Sequence, residues 1–503
     1  MTFPWLTVLG LVPLVGGLLL LLPMREASKW LGMGFALLTL GLGAGIAGMY
    51  SAGVDLAVQV PWVRSFGASW ALGLDGMGLA MVLLTVILTP VVLLVEWKSS
   101  GIVGQWTSQA FFALVLILEG LSLFVYTADD VLLFYLFFEA TLIPMYFLIV
   151  GYGGPRRGYA ALKFLLFSLA GGLVMLASVI GLYVVSASAG RPSYLLSDLA
   201  ALNIGGEAGH WLMLGFLIAF IIKAPMVPLH TWLPDAAEQS TPGSATMLVG
   251  VLDKIGTFGM IKFCLVIFPE ASRWAAPVMV ILALISIIYG ALGAIGSRNL
   301  MRLVAYTSIS HFGFMVLGIY SFTTQSMSGS IFYMLNHGFS TAALFLAVGY
   351  LISRRGSADI NAFGGVQKLA PVASGVLLLA ALSALSLPGM STFVSEIMVV
   401  TGTFGRAPWA TAVATVGMVL AAVYALRLYR KPMTGPVTDD AAQHFTGRDL
   451  NEVERLVMVP VIGAILLLGF YPQPAVKLVE PTAQAAMQRV QLVDPAPVVE
   501  GEQ

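Results

Sequence analysis

Ala219-Phe220-Ile221-Ile222-Lys223-Ala224-Pro225-Met226-Val227-Pro228-Leu229-His230-Thr231-Trp232-Leu233-Pro234-Asp235 decides how the rest of the chain is read. It starts as an apolar run of helical type, carries one lysine, and then meets Pro225 and Pro228 in close succession. A lysine at membrane depth costs about 2.5–3.5 kcal/mol on insertion scales. Proline removes a backbone donor and clashes with the preceding turn, so the helix is expected to break beside Lys223. An expensive charge next to a break is the pattern of an ion pathway.

Composition places that stretch in a bilayer. The 503 residues are 58% hydrophobic and only 10% charged, whereas soluble domains carry roughly 25% charged residues. Apolar runs of about 20 residues recur along the chain, each long enough to span as a helix. Alternating strand patterns are rare, which argues against a β-barrel. The first run, reaching Leu22, lacks a basic leader and a small-residue cleavage site, so it reads as a spanning helix rather than a signal peptide.

The expected fold is an all-α polytopic membrane protein of about fourteen transmembrane helices. Residues 1–107 hold helices one to three, with a surface hairpin within 51–76. Residues 108–268 hold helices four to eight and 269–430 hold helices nine to thirteen. Residues 431–503 hold an amphipathic segment within 432–455, the last helix and a tail. Two spans are interrupted: 212–233 at Pro225 and Pro228, and 371–404 at Leu387-Pro388-Gly389. They are the seventh and twelfth, as two repeats of five helices require, and an odd repeat length inverts one repeat relative to the other.

Basic residues sort onto one side of this arrangement. One set of loops holds Arg25, Lys29, Lys98, Arg156, Arg157, Lys163, Arg298, Arg302, Arg354, Arg355, Lys368, Arg427, Arg430, Lys431, Arg448 and Arg455. The other holds only Arg64, Arg191, Arg273, Arg406, Lys477 and Arg489. The excess of positive charge inside puts both termini on the non-cytoplasmic face.

Several chemistries are excluded. Net charge is zero, so nothing points to nucleic acid. The single cysteine, Cys264, supports no disulfide framework or Fe–S site within the chain. There is no Walker loop and no His-Glu-x-x-His zinc motif. Gly43-Ala44-Gly45-Ile46-Ala47-Gly48 matches the dinucleotide fingerprint but lies inside a span with no strand before it, so small-residue helix packing explains it better.

The ionisable groups left inside the spans are Glu119, Glu139, Lys223, Asp253, Lys254, Lys262, His311, His337 and Glu396. Glu139, mid-helix before Pro144, is either a packing carboxylate or a proton carrier and counter-ion to Lys223. Burial favours the neutral form of each and pairing the charged form of both, so one proton can switch the two together. Lys254 follows Asp253 directly, and neighbours about 100° apart on a helix are poorly placed to pair. Lys262, two turns on, is expected to snorkel. His311 and His337, on consecutive helices, are hydrogen-bonded core residues, proton stepping stones or haem ligands, each helix offering only one ligand for the last. Glu396 follows the second break as Lys223 accompanies the first. Glu119 is left open.

These motifs together resemble the antiporter-like subunits of respiratory complex I, most closely the M type. The resemblance is carried by Phe134-Tyr135-Leu136-Phe137-Phe138-Glu139 through Pro144-Met145-Tyr146, by Lys223 through Asp235, by Tyr306-Thr307-Ser308-Ile309-Ser310-His311-Phe312-Gly313-Phe314, and by Leu387-Pro388-Gly389 with Phe393 and Glu396. It covers helices four to thirteen and implies fourteen helices, inverted repeats and a hydrophilic axis. By matching positions it implies that Glu139, Lys223, Lys254, His311, His337 and Glu396 form a proton-transfer axis. A glutamate at position 396 is similar to the M type, where L and N types usually carry lysine. Asp253 departs from the family, which usually has an apolar residue there, and Ala237 stands where the family often has histidine.

The resemblance implies a subunit of proton-translocating NADH:quinone oxidoreductase with no redox centre or metal of its own. NADH, FMN, Fe–S clusters and quinone are then expected in partner subunits, with L- and N-type neighbours in a bacterial plasma membrane. The alternatives are a subunit of a multi-subunit Na⁺/H⁺ antiporter and a non-pumping structural spacer.

Overall fold

The computed structural model describes residues 3–22, 27–97 and 106–496. Arg25 and Lys98, used above for orientation, lie outside these. The chain opens with α1 (Trp5–Leu19) and α2 (Ala27–Ser51), then an antiparallel hairpin of β1 (Val58–Val63) and β2 (Ala68–Leu72). Next come α3 (Gly76–Val95), α4 (Ser108–Thr127), α5 (Val131–Ala140), α6 (Leu142–Tyr152), α7 (Arg157–Ser188) and the short α8 (Leu196–Ala201). The central elements are α9 (Gly206–Lys223), α10 (Trp232–Gln239), α11 (Pro242–Met247) and α12 (Lys254–Gly259). After them run α13 (Pro269–Gly296), α14 (Leu300–Tyr320), α15 (Thr324–Arg355), α16 (Pro371–Ala384), α17 (Ser391–Phe404) and α18 (Pro408–Met433). The chain ends with α19 (Asp439–Phe445), α20 (Glu452–Phe470) and α21 (Gln473–Val490).

Local chemistry sets many of these boundaries. Asp75, Thr107, Asp130, Thr241, Asn299 and Thr323 each accept a bond from the backbone N–H three residues on, capping α3, α4, α5, α11, α14 and α15. Such caps satisfy donors that have no partner within the helix, which matters most where no water reaches. Asp130 also accepts from the Ser69 backbone N–H, which fastens the hairpin to α5.

Among the described residues eleven segments are long and apolar enough to cross a membrane, and α1, α16 and α17 are shorter apolar helices. The chain is therefore a multi-pass membrane protein. α14 and α15 are buried along almost their whole length, and α15 packs against α3, α11, α14, α16, α17, α20 and α21. Peripheral helices leave apolar stripes outward, such as Leu166, Leu173, Ile180 and Val184 on α7 and Val416, Val419, Val423 and Leu426 on α18. Helical spacing puts each set on one face, and these faces suit lipid rather than water.

Three features differ from the sequence reading. The eighth span is not one regular helix: α11 and α12 are separated by the π-turn Leu248–Leu252, and a second π-helical stretch runs Met260–Leu265. Hydropathy detects such a span but not an extra residue wound into a turn. The 432–455 stretch holds the short α19, and α20 already begins within it, at Glu452. The tail holds α21, whose Val479, Ala483, Ala486, Met487 and Val490 are buried against the bundle, while Lys477, Glu480 and Gln484 face outward. An amphipathic helix of this kind is too polar for a spanning-segment search.

Both anticipated breaks are present. α9 stops at Lys223 and helix resumes at Trp232, and α16 stops at Ala384 and resumes at Ser391. Trp232 Nε1 donates to the freed Ile222 carbonyl at 3.0 Å, and the Val227 N–H donates to Ser286 Oγ at 3.0 Å. At the second break Ser386 adopts a left-handed backbone and Gly389 has φ of 94°. Glycine takes that conformation at no steric cost.

Candidate functional site

Between the two breaks lies a set of buried ionisable side chains. Lys223 is the last residue of α9 and is 1% exposed. Its Nζ has no hydrogen-bond partner and sits 5.3 Å from the Phe138 ring centre and 5.6 Å from that of Phe164. The aromatic faces offer the ammonium partial electrostatic compensation without fixing its direction. Glu139, in the last turn of α5, is half-buried, and its Oε1 lies without a partner against Gly172 of α7. A Cβ at position 172 would fall 1.7 Å from that oxygen, so this glycine makes room for the carboxylate. No Glu139–Lys223 hydrogen bond forms; the two interact through space.

The next group follows the π-turn. The Asp253 N–H bonds to the Leu248 carbonyl five residues back, at 3.1 Å. Lys254 Nζ donates to the Val249 carbonyl at 2.6 Å and meets His337 Nδ1 at 2.7 Å. Asp253 and Lys254 do not pair with each other, in keeping with their angular separation on the helix. With Lys254 donating, His337 Nδ1 is the acceptor and Nε2 carries the hydrogen toward Thr341 Oγ1, 3.0 Å away.

His337, not His311, is the histidine beside Lys254. The His311 ring centre is 5.2 Å from that of His337. His311 Nε2 lies 3.2 Å from the Ala384 carbonyl, at the end of α16, and 3.0 Å from the Tyr424 hydroxyl. The break in the second repeat thus supplies an acceptor to the histidine as well as a turn to the chain. Beyond it Glu396 Oε2 accepts from the Tyr333 hydroxyl at 2.7 Å and from Ser386 Oγ in the break. The rings of His311 and Tyr333 are 5.8 Å apart, which brings the row to the glutamate.

All six residues singled out in the sequence are buried or half-buried here, and Lys223, Lys254, His337, His311 and Glu396 fall into a row in that order. Glu139 stands at its rim. The sequence reading gave no role to Tyr333, Tyr424 or Ser386. Tyr333 precedes His337 by one helical turn and so shares its face, a signal that was readable. Ser386 adjoins Leu387-Pro388-Gly389, but nothing near Tyr424 in sequence marks it. Lys262 does not snorkel to water: it is 7% exposed and pairs with Asp129 at 2.7 Å. Glu119 is fully buried against α3 beside Thr89. No cluster of three or more metal-ligating side chains occurs among the described residues.

A separate, half-exposed network joins the two halves of the chain. Asp235 on α10 takes Lys163 of α7 at 2.6 Å and Arg302 of α14 at 2.6 Å, while Glu238 takes Arg302 at 3.1 Å and Arg156 at 2.8 Å. Burial works against ionisation of Asp235, but its bonds to Lys163 and Arg302 outweigh that and hold its carboxyl below the usual 3.8.

A many-helix membrane protein with two broken helices and a charged row between them defines a class of ion-translocating subunit. The family described as NADH:quinone oxidoreductase/Mrp antiporter, transmembrane, matches residues 128–421. The chain is 45% identical to NADH-quinone oxidoreductase subunit M of Mycobacterium tuberculosis, covering 99% of this chain and 96% of that one. It superposes on a chain of respiratory complex I from Thermus thermophilus with a TM-score of 0.88 at 32% identity, covering 96% and 99%. It also shares the fold of a chain of the Mrp complex from Dietzia, with a TM-score of 0.85 at 23% identity and coverage of 97% and 100%. The chain belongs to the NADH:quinone oxidoreductase/Mrp antiporter family, and within it is similar to the M type of complex I membrane subunit.

Proposed function

We propose that the row Lys223, Lys254, His337, His311 and Glu396, modulated by Glu139, is the proton path of this chain. The chain itself is a proton-translocating antiporter-like membrane subunit of an NADH:quinone oxidoreductase, and the other subunits of that complex are its partners. The observation that carries the path is the 2.7 Å contact of Lys254 with His337, which links the eighth span, the last of the first half, to the second half. A proton leaving the Lys254 ammonium has an acceptor nitrogen in contact. From there a histidine, two tyrosines and a serine lead to the Glu396 carboxylate.

On this reading protons enter the amino-terminal half from the cytoplasm, pass Lys223 and Lys254, and leave by the histidines and Glu396. Residues 108–268 and 269–430 are the two inverted repeats. Both termini lie on the non-cytoplasmic side of a bacterial plasma membrane. NADH, FMN, Fe–S clusters and quinone belong to partner subunits, whose redox reaction drives the charges here. Glu139 is an ionisable group, yet this chain by itself covers it only in part. A neighbouring L- or N-type subunit covering α5 would remove it from lipid, which supports a position between such subunits.

The test is Lys223→Ala in the assembled complex, read as protons moved per quinone reduced. Loss of this chain's share of pumping is expected. Quinone reduction coupled to undiminished pumping overturns the path.

A further inference from the structure

Asp253 is a carboxylate that the path above does not use. It is fully buried, and neither oxygen has a hydrogen-bond partner. An unpaired buried carboxylate is among the most expensive groups a protein carries, and a chain that needed only packing there would do better with an apolar side chain. Its backbone closes the π-turn Leu248–Leu252, and such turns concentrate at functional positions.

Its surroundings say what it serves. One turn on, Gly256 packs against the Lys223 end of α9 so closely that a Cβ there would fall 2.5 Å from the Ala224 nitrogen and 2.6 Å from the Phe220 oxygen. That contact brings Asp253 and Lys254 to the level of Lys223. The charged and titratable groups that act electrostatically on Asp253 are Lys223 from α9, Tyr126 from α4, and Lys254 beside it in the chain. Tyr126 is committed elsewhere, donating to the Val251 carbonyl at 2.6 Å. The Lys254 ammonium is likewise held by Val249 and His337. Lys223 Nζ has no hydrogen-bond partner among the described residues. Two lysines and a carboxylate therefore share one buried site, with no fixed ion pair between any two of them.

We propose that Asp253 is a further proton-carrying residue of this chain, relaying between Lys223 and Lys254. The Lys223 ammonium gives a proton to the Asp253 carboxylate, leaving an amine and a neutral carboxylic acid. The acid then protonates the Lys254 amine and returns to a carboxylate. An anion between two lysines also lowers the repulsion that would keep both from holding protons at once.

The inference rests on the path proposed above, so the experiment separates the two. Asp253→Asn, Asp253→Leu, Asp253→Glu and Lys223→Ala are compared in the assembled complex in membrane vesicles. Assembly, protons moved per quinone reduced, and the pH profile of coupled quinone reduction are measured. Asp253→Asn is expected to lower the pumping rate by about tenfold or more, given what a positioned proton-transfer group contributes. Asp253→Glu is expected to restore much of it with a displaced pH profile. A merely structural carboxylate predicts instead that Asp253→Leu assembles and pumps as wild type, which overturns the proposal. Normal pumping by Asp253→Asn with loss in Lys223→Ala removes Asp253 alone. Normal pumping by Lys223→Ala removes the path and this relay with it. If the Asn and Leu variants fail to assemble, an unmoved pH profile in Asp253→Glu overturns the relay and a displaced one supports it.

Discussion

The two broken spans solve opposite problems. At the first, the charge sits at the end of the helix, and Lys223 Nζ touches only aromatic faces and distant charges. At the second, the charge sits one turn past the restart, and Glu396 is gripped by Tyr333 and by Ser386 from the break itself. A cation without a bonded partner responds strongly to every charge change near it, because no hydrogen bond must be broken first. A carboxylate with two hydroxyl donors is held in place and depends less on distant groups. The difference teaches that inverted breaks need not play equal roles: the first is built to be switched, the second to receive.

The largest expected effect strikes both breaks at once. Lys223→Ala and Glu396→Gln should each cut this chain's proton translocation by about 100-fold, measured by a pH-sensitive dye in vesicles with assembly checked separately. If Glu396→Gln pumps normally while Lys223→Ala does not, the second break is not part of the path. A smaller loss is expected from Tyr333→Phe combined with Ser386→Ala. Each removes one donor from a buried carboxylate, at roughly 1–3 kcal/mol per unsatisfied group. Slowed pumping with Glu396 still required would sharpen the contrast, and an unchanged rate would show that the grip on Glu396 is only structural.

Gly172→Ala comes next. The new methyl would displace the Glu139 carboxylate, a flexible group, so assembly should persist while pumping falls by a few-fold or less. A variant indistinguishable from wild type would show that Lys223 does not depend on where Glu139 lies. The smallest effect is on stability. Asp235→Asn should cost about 1 kcal/mol, given partial solvent screening, read as a lower unfolding temperature in detergent. Because Asp235 is held below its ordinary value, the stability it contributes is present above about pH 4 and is lost as pH falls through the folded value. The variant should therefore differ from wild type at neutral pH and converge with it in acid. Failure to converge would mean that the network contributes through packing rather than charge.

Much of this was legible in the chain. The breaks at Pro225 and at Pro388-Gly389 follow from backbone chemistry that acts within a few residues, so sequence spacing finds them. The charges inside apolar runs are equally visible, because burying one in a bilayer is costly enough to be rare. What was not legible is adjacency. His311 and His337 stand on consecutive helices with nothing in the sequence to say which meets Lys254, and helix rotation within the bundle gives that place to His337. Lys262 reads as a snorkelling lysine until Asp129, far away in sequence, is found beside it. The helix α21 escaped because hydropathy rewards uniformly apolar spans and passes over a half-polar one.

By itself the sequence determined a polytopic helical membrane protein, its two breaks, and the residue types that carry charge within it, since each depends on local pattern or bulk transfer energy. Only the tertiary structure decided that Lys223 has no bonded partner, that Glu396 is gripped by its own break, and that Asp253 is buried with neither oxygen bonded. Those facts depend on which helix faces meet, and interhelical packing is set by contacts among residues tens to hundreds of positions apart.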